Sequence, residues 1–373
     1  MGVLRILKRL IDRLFFETLR RLFIRGAVQE KRLLLVRTDG IGDLVYFERY
    51  VRAFAQGFPD HKVYLLCREE CKGLAELFPP FRQVRFFQYI NYRWNYLYRI
   101  IVLNRIRSLR PTTAVYCSYH RQHIGDEMTL LSGAKETIAF QGNDEIIHPA
   151  TRRTNDRLYS TVIETSDHVS EDVKYRALLK RIGVDRIPSP SNFRVSLQLK
   201  DTSSRAPSVG PYFIIGVGGS SPLRRWPAER FSILGAIVAE NTGWQPVLTG
   251  SENEGKLLGT VAERMKVRPR IIDGESLPAI VQLIASAKLF IGNESGLLHI
   301  AACLGTPALG ILGGGHFTRY FPYGSVRIVS HKLPCFECNW KCPFPEPYCL
   351  TNISVDDVVA ELKRRRLLRV VKS

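Results

Sequence analysis

At 373 residues and 45% hydrophobic content, the chain has room for two ordinary α/β domains, each with its own core, and is not a disordered chain. It holds no run of about 18 or more uninterrupted apolar residues, which excludes a bilayer-spanning helix. A formal net charge of +19 calls for an anionic partner. Nucleic acid, anionic lipid and phosphorylated substrates all qualify, and charge alone does not choose among them.

Residues 1–30 form a basic leader whose first 25 or so residues read as an amphipathic helix. Leu4, Leu7, Ile11, Leu14, Phe15 and Leu22 share one face at helical spacing, and Arg5, Arg9, Arg13 and Arg20 lie opposite. Phe16 falls on the polar face, and Arg21 and Arg25 on the apolar side. Charges at Arg5, Lys8, Arg9 and Arg13 interrupt the apolar stretch and no small-residue cleavage site follows, so a signal peptide is not expected. The expected location is cytoplasmic, peripheral on the inner face of the cytoplasmic membrane, with the helix against anionic headgroups. A helix packed on its own protein, or a dimer contact, fits the same pattern.

The first domain is expected over residues 31–190. Arg32–Arg37 reads as a buried parallel strand, followed by the loop Thr38-Asp-Gly-Ile-Gly-Asp43 and a helix from Leu44. Val63–Cys67 and Ala114–Cys117 read as further strands, and strands alternating with helices imply parallel βαβ units. Residues 86–110 interleave aromatics with arginines, a pattern that stacks single-stranded nucleic acid, meets lipid headgroups, or simply packs a helix. Residues 150–185 read as helical, with Tyr175, Leu178, Leu179 and Ile182 on one face, and the Pro- and Ser-rich stretch from Ile187 to Pro211 reads as the linker.

The second domain, 211–355, repeats the pattern before a C-terminal helix over 356–373. Strands are expected at Tyr212–Val217, Gln245–Thr249, Leu289–Gly292 and Pro307–Leu312, with helices from Pro227 and from about Ser295. Two doubly wound halves with a cleft between them follow, and in such sheets ligands bind beyond the carboxyl ends of the strands.

The candidate residues sit in loops at those ends. Asp43 closes a loop in which Gly40 and Gly42 permit a tight turn, and its carboxylate can take a proton from an acceptor hydroxyl. It can equally cap the helix from Leu44. In Gly218-Gly-Ser-Ser-Pro-Leu-Arg-Arg-Trp-Pro227, the amides around Ser220 and Ser221 and the charges of Arg224 and Arg225 suit a diphosphate, unless they form an ordinary surface turn. In Gly292-Asn-Glu-Ser-Gly-Leu-Leu-His299, the helix start is an anion site by its dipole and unpaired N–H groups. Glu294 there suits sugar hydroxyls, while Ser295 as a cap and His299 as a packed core residue are the plainer readings. Glu252 or Glu254 suits a ribose, or simply faces solvent. No P-loop, no G-x-G-x-x-G after a strand and no Asp-x-Asp pair occurs, so no cofactor and no catalytic metal are expected. Cys335, Cys338, Cys342 and Cys349 are compact enough for a structural zinc site or for free thiols around a Pro-rich loop. Cys67, Cys71, Cys117 and Cys303 are expected to stay reduced.

Taken in order, these segments resemble glycosyltransferase family 9, the ADP-heptose:lipopolysaccharide heptosyltransferases. The resemblance spans roughly residues 32–360. It rests on Leu34-Leu-Val-Arg-Thr-Asp-Gly-Ile-Gly-Asp43, Gly219-Ser-Ser-Pro-Leu-Arg-Arg-Trp-Pro227, Leu248-Thr-Gly250, Gly292-Asn-Glu-Ser-Gly-x-x-His299 and the late cysteines before Ile353. It implies two Rossmann-like domains facing a cleft (the GT-B type) and an inverting, metal-independent transfer with Asp43 as general base. It implies donor contacts from Arg224 and Glu294, a diphosphate at Ser295–Leu297, and Glu254, or Glu252 after a small shift, near the ribose. The donor-binding set is then Ser220, Ser221, Arg224, Arg225, Thr249, Glu254, Glu294, Ser295, Gly296, Leu297 and His299. The implied partners are a nucleotide-diphosphate sugar, ADP-heptose in that family, a lipopolysaccharide-type glycolipid acceptor and an anionic membrane surface, with no nucleic acid. The family usually has Asp where Glu294 stands and often Lys where Arg224 stands, and the leader before Arg32 is not a general feature of it. Two rivals remain: a nucleotide-sugar epimerase of similar fold and a non-catalytic nucleic-acid binder.

Overall fold

A computed structural model describes residues 2–23, 30–75, 81, 83–184, 210–317, 319–321, 325–364 and 368. The expected linker falls almost wholly outside them. The chain divides into two compact units, one of residues 1–40 and 50–187, the other of residues 41–49 and 188–373.

In chain order the first unit carries α1 (Gly2–Leu22), β1 (Arg32–Val36), α2 (Ile41–Gly57), β2 (Lys62–Arg68), α3 (Lys72–Ala75), β3 (Gln83–Phe87), α4 (Tyr89–Trp94), α5 (Tyr96–Ser108) and β4 (Thr113–Tyr116). It continues with α6 (His123–Leu130), β5 (Glu136–Phe140), α7 (Pro149–Asp156), β6 (Thr161–Ile163) and α8 (Glu171–Arg181). Helix α2 is shared, because its residues 41–49 group with the second unit. All neighbouring strands pair in parallel, in the order β3-β2-β1-β4-β5-β6. Such a sheet is covered on both faces, which is why Leu33, Leu34, Leu35 and Val36 are all fully buried and read as an unbroken apolar run.

The second unit carries β7 (Tyr212–Gly216), α9 (Ala228–Thr242), β8 (Gln245–Gly250), α10 (Gly255–Arg264), β9 (Arg270–Asp273), α11 (Leu277–Ser286) and β10 (Leu289–Asn293). Then come α12 (Gly296–Leu304), β11 (Ala308–Ile311), β12 (Val326–Val329), α13 (Tyr348–Thr351) and α14 (Val355–Arg364). Its parallel sheet runs β9-β8-β7-β10-β11-β12. Each unit thus repeats the doubly wound order 3-2-1-4-5-6, with its switch point between the first and fourth strands of the sheet. The C-terminal helix is no appendage. Val358 and Leu362 of α14 are buried in the same core as Phe213, Ile215 and Phe231.

Three sequence expectations are corrected. Helix α2 begins at Ile41 with Gly40 at its cap position, so Asp43 lies inside the first turn and is not the cap of a helix from Leu44. The segment 150–185 is not one helical stretch. Strand β6 divides it, adding an edge strand beside β5, and only α8 keeps the buried face of Tyr175, Leu178 and Leu179. In α1, Phe16 and Leu19 are the buried residues, and Phe15 packs with them on the core of the first unit.

That burial follows from what α1 packs against. Phe16 and Leu19 join Leu103, Ile106 and Met128 in the core, and Phe15 meets Tyr96 edge to face at 4.9 Å. Asp12 accepts from Lys8 at 2.6 Å and from Arg99 at 2.7 Å, and Arg99 pairs in turn with buried Glu127 at 3.1 Å. Burial works against the Asp12 carboxylate, yet Lys8 and Arg99 hold it below its ordinary range. Much of the aromatic stretch after residue 86 is likewise structural. Phe87 and Tyr92 are core residues, and Tyr89 and Tyr98 pack on that core.

Candidate active site in the second unit

The loops after β7 and β10 leave adjacent strands at the switch point of the second sheet. A fully buried residue joins them. Asn293, the last residue of β10, donates from Nδ2 to the Val217 carbonyl at 2.8 Å, and its Oδ1 accepts the Trp226 N–H at 2.9 Å. Trp226, itself buried, donates from its ring to the Ile353 carbonyl at 2.9 Å. Sequence reasoning quoted Asn293 in its motif but gave it no role. Its signal was an amide with two opposed hydrogen-bonding ends at the close of a buried strand.

Ser221 caps a short turn over Pro222–Arg224, accepting the Leu223 N–H at 3.3 Å, while Ser220 is exposed. The two arginines of this loop part company. Arg225 donates twice to the Gly219 carbonyl, at 3.1 and 2.8 Å, and so braces the loop. Arg224 bonds His316 Nδ1 at 2.9 Å and lies over the Trp340 ring at 4.9 Å. Glu254 is engaged within the protein: Oε1 accepts the Gly219 N–H at 3.1 Å, and Oε2 accepts the Ser251 N–H and hydroxyl at 2.8 and 2.9 Å. Glu252 is exposed. Thr249 is fully buried on β8, with a hydroxyl that has no partner among the described residues.

The start of α12 is open. Ser295 stands at its cap position in extended backbone, but its hydroxyl makes no capping bond and has no partner among the described residues. The capping reading of Ser295 is therefore corrected, and the first amides of the helix at Gly296 and Leu297 meet no cap from that side chain. Glu294 is buried just before it, and its Oε2 has no hydrogen-bond partner among the described residues. Burial pushes its carboxyl up to about 7, against the pull of Arg224 and Arg319. His299, one turn on, is buried between Tyr320 at 5.2 Å and Phe321 at 4.8 Å. Burial lowers it to about 4, so the ring is neutral near pH 7.

Asp43 belongs to this same cluster. Its Oδ1 accepts from the Tyr320 hydroxyl, and the Arg319 guanidinium lies 3.5 Å from it. The first turn of α2 reaches His299 because residue 42 is glycine. A Cβ there would stand 2.9 Å from His299 Cδ2. The structure thus gathers Asp43, Arg224, Glu294, Ser295 and His299, and adds Arg319, Tyr320, His316 and Trp340, which carry no motif that a linear reading recognises.

The late cysteine segment explains Trp340. All eight cysteines are free. Among the described residues, no group of three or more His, Cys, Asp or Glu is arranged to hold a metal ion. The segment folds back on the end of β11, where the Glu337 and Asn339 N–H groups donate to the carbonyls of Gly314 and Gly315 at 2.7 and 3.0 Å. Gly314 donates to Cys349 Sγ at 3.4 Å. A Cβ on Gly315 would collide with the Trp340 ring. Gly313 and Gly315 therefore leave room for the Trp340 ring, and Gly314 for Phe336, so that the indole packs against the backbone and meets Arg224.

A profile of the family described as "Glycosyltransferase family 9 (heptosyltransferase)" matches residues 154–345. Lipopolysaccharide heptosyltransferase 2 of Salmonella typhimurium is 33% identical over 97 residues, 25% of this chain and 28% of that one. The chain spans about a third of the length of the first curated relatives it matches. A glycosyl transferase family 9 structure from Veillonella parvula superposes with a TM-score of 0.71 at 17% identity, over 92% of this chain and 99% of that one. An E. coli heptosyltransferase solved with ADP-2-deoxy-2-fluoro heptose superposes at 0.67 with 15% identity, over 90% and 99%. At such identities the superpositions establish a shared fold.

Proposed function

The chain belongs to glycosyltransferase family 9, and from that premise we propose that it transfers a sugar, heptose, from a nucleotide-diphosphate donor to a lipopolysaccharide-core type glycolipid, with inversion. The observation that carries this reading is one cluster in the second unit. It combines a carboxylate, Asp43, with a cationic side chain, Arg224, and an uncapped helix start at Ser295. Asp43 removes a proton from the acceptor hydroxyl, and that oxygen attacks the anomeric carbon opposite the diphosphate. Arg224 and the amides of Gly296 and Leu297 meet the departing diphosphate, so its charge is answered by a guanidinium and a helix dipole without calling on a metal. Glu294 and the neutral ring of His299 face the sugar. Ser220, Ser221 and Thr249 complete the donor pocket, while Arg225 and Glu254 hold its loops in shape. ADP-heptose is the donor of choice because a solved protein of the same fold holds an analogue of it. The first unit takes the acceptor. A glycolipid acceptor sets the reaction at an anionic membrane surface, on its cytoplasmic face, with no part for nucleic acid.

The test is an Asp43→Asn protein assayed with ADP-heptose and a truncated lipopolysaccharide acceptor. Turnover falls by on the order of 100-fold or more, while thermal stabilisation by ADP is kept. Full turnover in a normally folded variant removes the base assignment. Incubation with donor alone separates a transferase from an epimerase, since only the latter then forms a new sugar nucleotide.

A further inference from the structure

Helix α1 is anchored to its own unit along one stripe and bare along another. Lys8, Asp12, Phe15, Phe16 and Leu19 face the protein. On the outer side Leu4, Leu7, Leu10 and Leu14 stand in solvent, Leu4 and Leu14 at 73% and 70% exposure. The helix carries six basic residues against two acidic ones, and Asp12 is consumed internally by Lys8 and Arg99. Arg5, Arg9, Arg13 and Arg20 run in a row across the helix from Leu4 and Leu7, on the flank between the buried stripe and the far edge of the exposed strip.

The exposed strip does not stop at α1. Lys8 lies over the Trp94 ring at 5.4 Å, and Trp94 is itself 60% exposed. Leu97 and Ile101, one turn apart on α5, are exposed as well, Leu97 at 74%. Arg93 and Arg105 are exposed on the same helices. Three helices of one unit thus present leucines, an indole and basic side chains together. Apolar side chains scattered singly need no explanation, but a strip of this composition marks an interaction surface.

We infer that this composite face of α1, α4 and α5 is a docking surface for an anionic lipid bilayer. The leucines and Trp94 enter the headgroup boundary and the arginines meet lipid phosphates. Charge complementarity selects lipid over a second copy of the chain. A two-fold contact would bring the arginine row of one copy against that of the other, whereas an anionic surface neutralises it. Because the ion pair of Asp12 with Arg99 pins α1 to the first unit, docking orients the whole unit and is not a loose tether. This inference concerns a surface outside the transfer site and needs neither donor nor acceptor, so it stands or falls separately from the transferase reading.

The full chain is to be sedimented with vesicles of phosphatidylcholine alone and with phosphatidylglycerol added, beside a Leu7→Glu/Leu14→Glu variant and an Arg5→Gln/Arg9→Gln variant. The expected result is binding to anionic vesicles at least about tenfold tighter than to neutral ones. The leucine variant loses it by about tenfold or more, and the arginine variant is weakened with a shallower salt dependence. Trp94 emission, isolated by difference from a Trp94→Phe protein, shifts to the blue on binding. Both variants alter exposed side chains, and an unchanged unfolding midpoint verifies that they fold. Equal binding by parent and leucine variant overturns the proposal. So does a concentration-dependent dimer that the leucine variant abolishes while vesicles go unbound, and so does oligonucleotide binding lost in that variant without vesicle binding.

Discussion

Glu294 is where a single side chain sets a measurable property. Its folded value of about 7 lies above the ordinary 4.5, because burial penalises the charged form more than Arg224 and Arg319 favour it. The folded chain therefore holds this proton where the unfolded chain has released it. The group's contribution to stability is complete below about pH 4.5 and is lost as pH rises through about 7. A Glu294→Gln protein keeps the shape and never acquires the charge. Its unfolding free energy should match the parent near pH 4.5 and exceed it increasingly toward pH 8, by on the order of 3 kcal/mol at the limit. Paired urea titrations across that range check this, and a difference that stays flat with pH sinks it. His299 moves oppositely: its lowered value removes stability as pH falls from about 6.5 toward 4, so the comparison must be made variant against parent and not from the parent curve alone. Asn293 shows the other way a residue acts here. Buried and bonded at both ends of its amide, it is a joint between loops.

Elements bring these residues together through their ends. The first turn of α2 and the first turn of α12 approach closely because Gly42 presents no side chain to His299. That approach delivers Asp43 to the cluster, although it lies some 250 residues earlier in the chain. In the first unit, α1 depends on a buried charge chain. Arg99 reaches Asp12 at 2.7 Å and Glu127 at 3.1 Å, and its guanidinium lies over Phe15, Tyr92 and Tyr96. An Arg99→Ala change leaves buried Glu127 without its cation and frees α1. We expect a loss of about 3–5 kcal/mol, read as a lower urea midpoint. A loss under about 1 kcal/mol would mean that apolar packing by Phe16 and Leu19 alone seats the helix.

For the molecule as a whole, two sheets of identical strand order carry loops that are satisfied differently. In the first, the loops after β1 and β4 are tied internally: Arg37 grips Asp39 at 2.9 and 2.7 Å, and Ser118 donates to Asp39 at 2.7 Å. In the second, the loop after β7 is braced by Arg225, Glu254 and Asn293, but the loop after β10 leaves Glu294 Oε2 and the Ser295 hydroxyl without partners among the described residues, and α12 without a side-chain cap. ADP should accordingly slow amide exchange at Gly218–Arg225 and at Glu294–His299, while the β1, β4 and β5 amides keep their rates. Mass-spectrometric hydrogen exchange with and without ADP checks this, and protection confined to the first unit would contradict it. Periodicity and apolar runs made both doubly wound halves legible from the sequence, because strands buried on two faces admit little else. The strand-end loops were legible too, since glycines and charged residues have few uses there. What the sequence alone did not determine is which neighbours those loops acquire. Only the tertiary structure turned Phe16 inward and left the leucines bare, removed Arg225 and Glu254 to bracing roles, and set Arg319, Tyr320 and Trp340 around Asp43 and Arg224. The physical reason is that such partnerships are made across long stretches of chain, where local periodicity carries no signal.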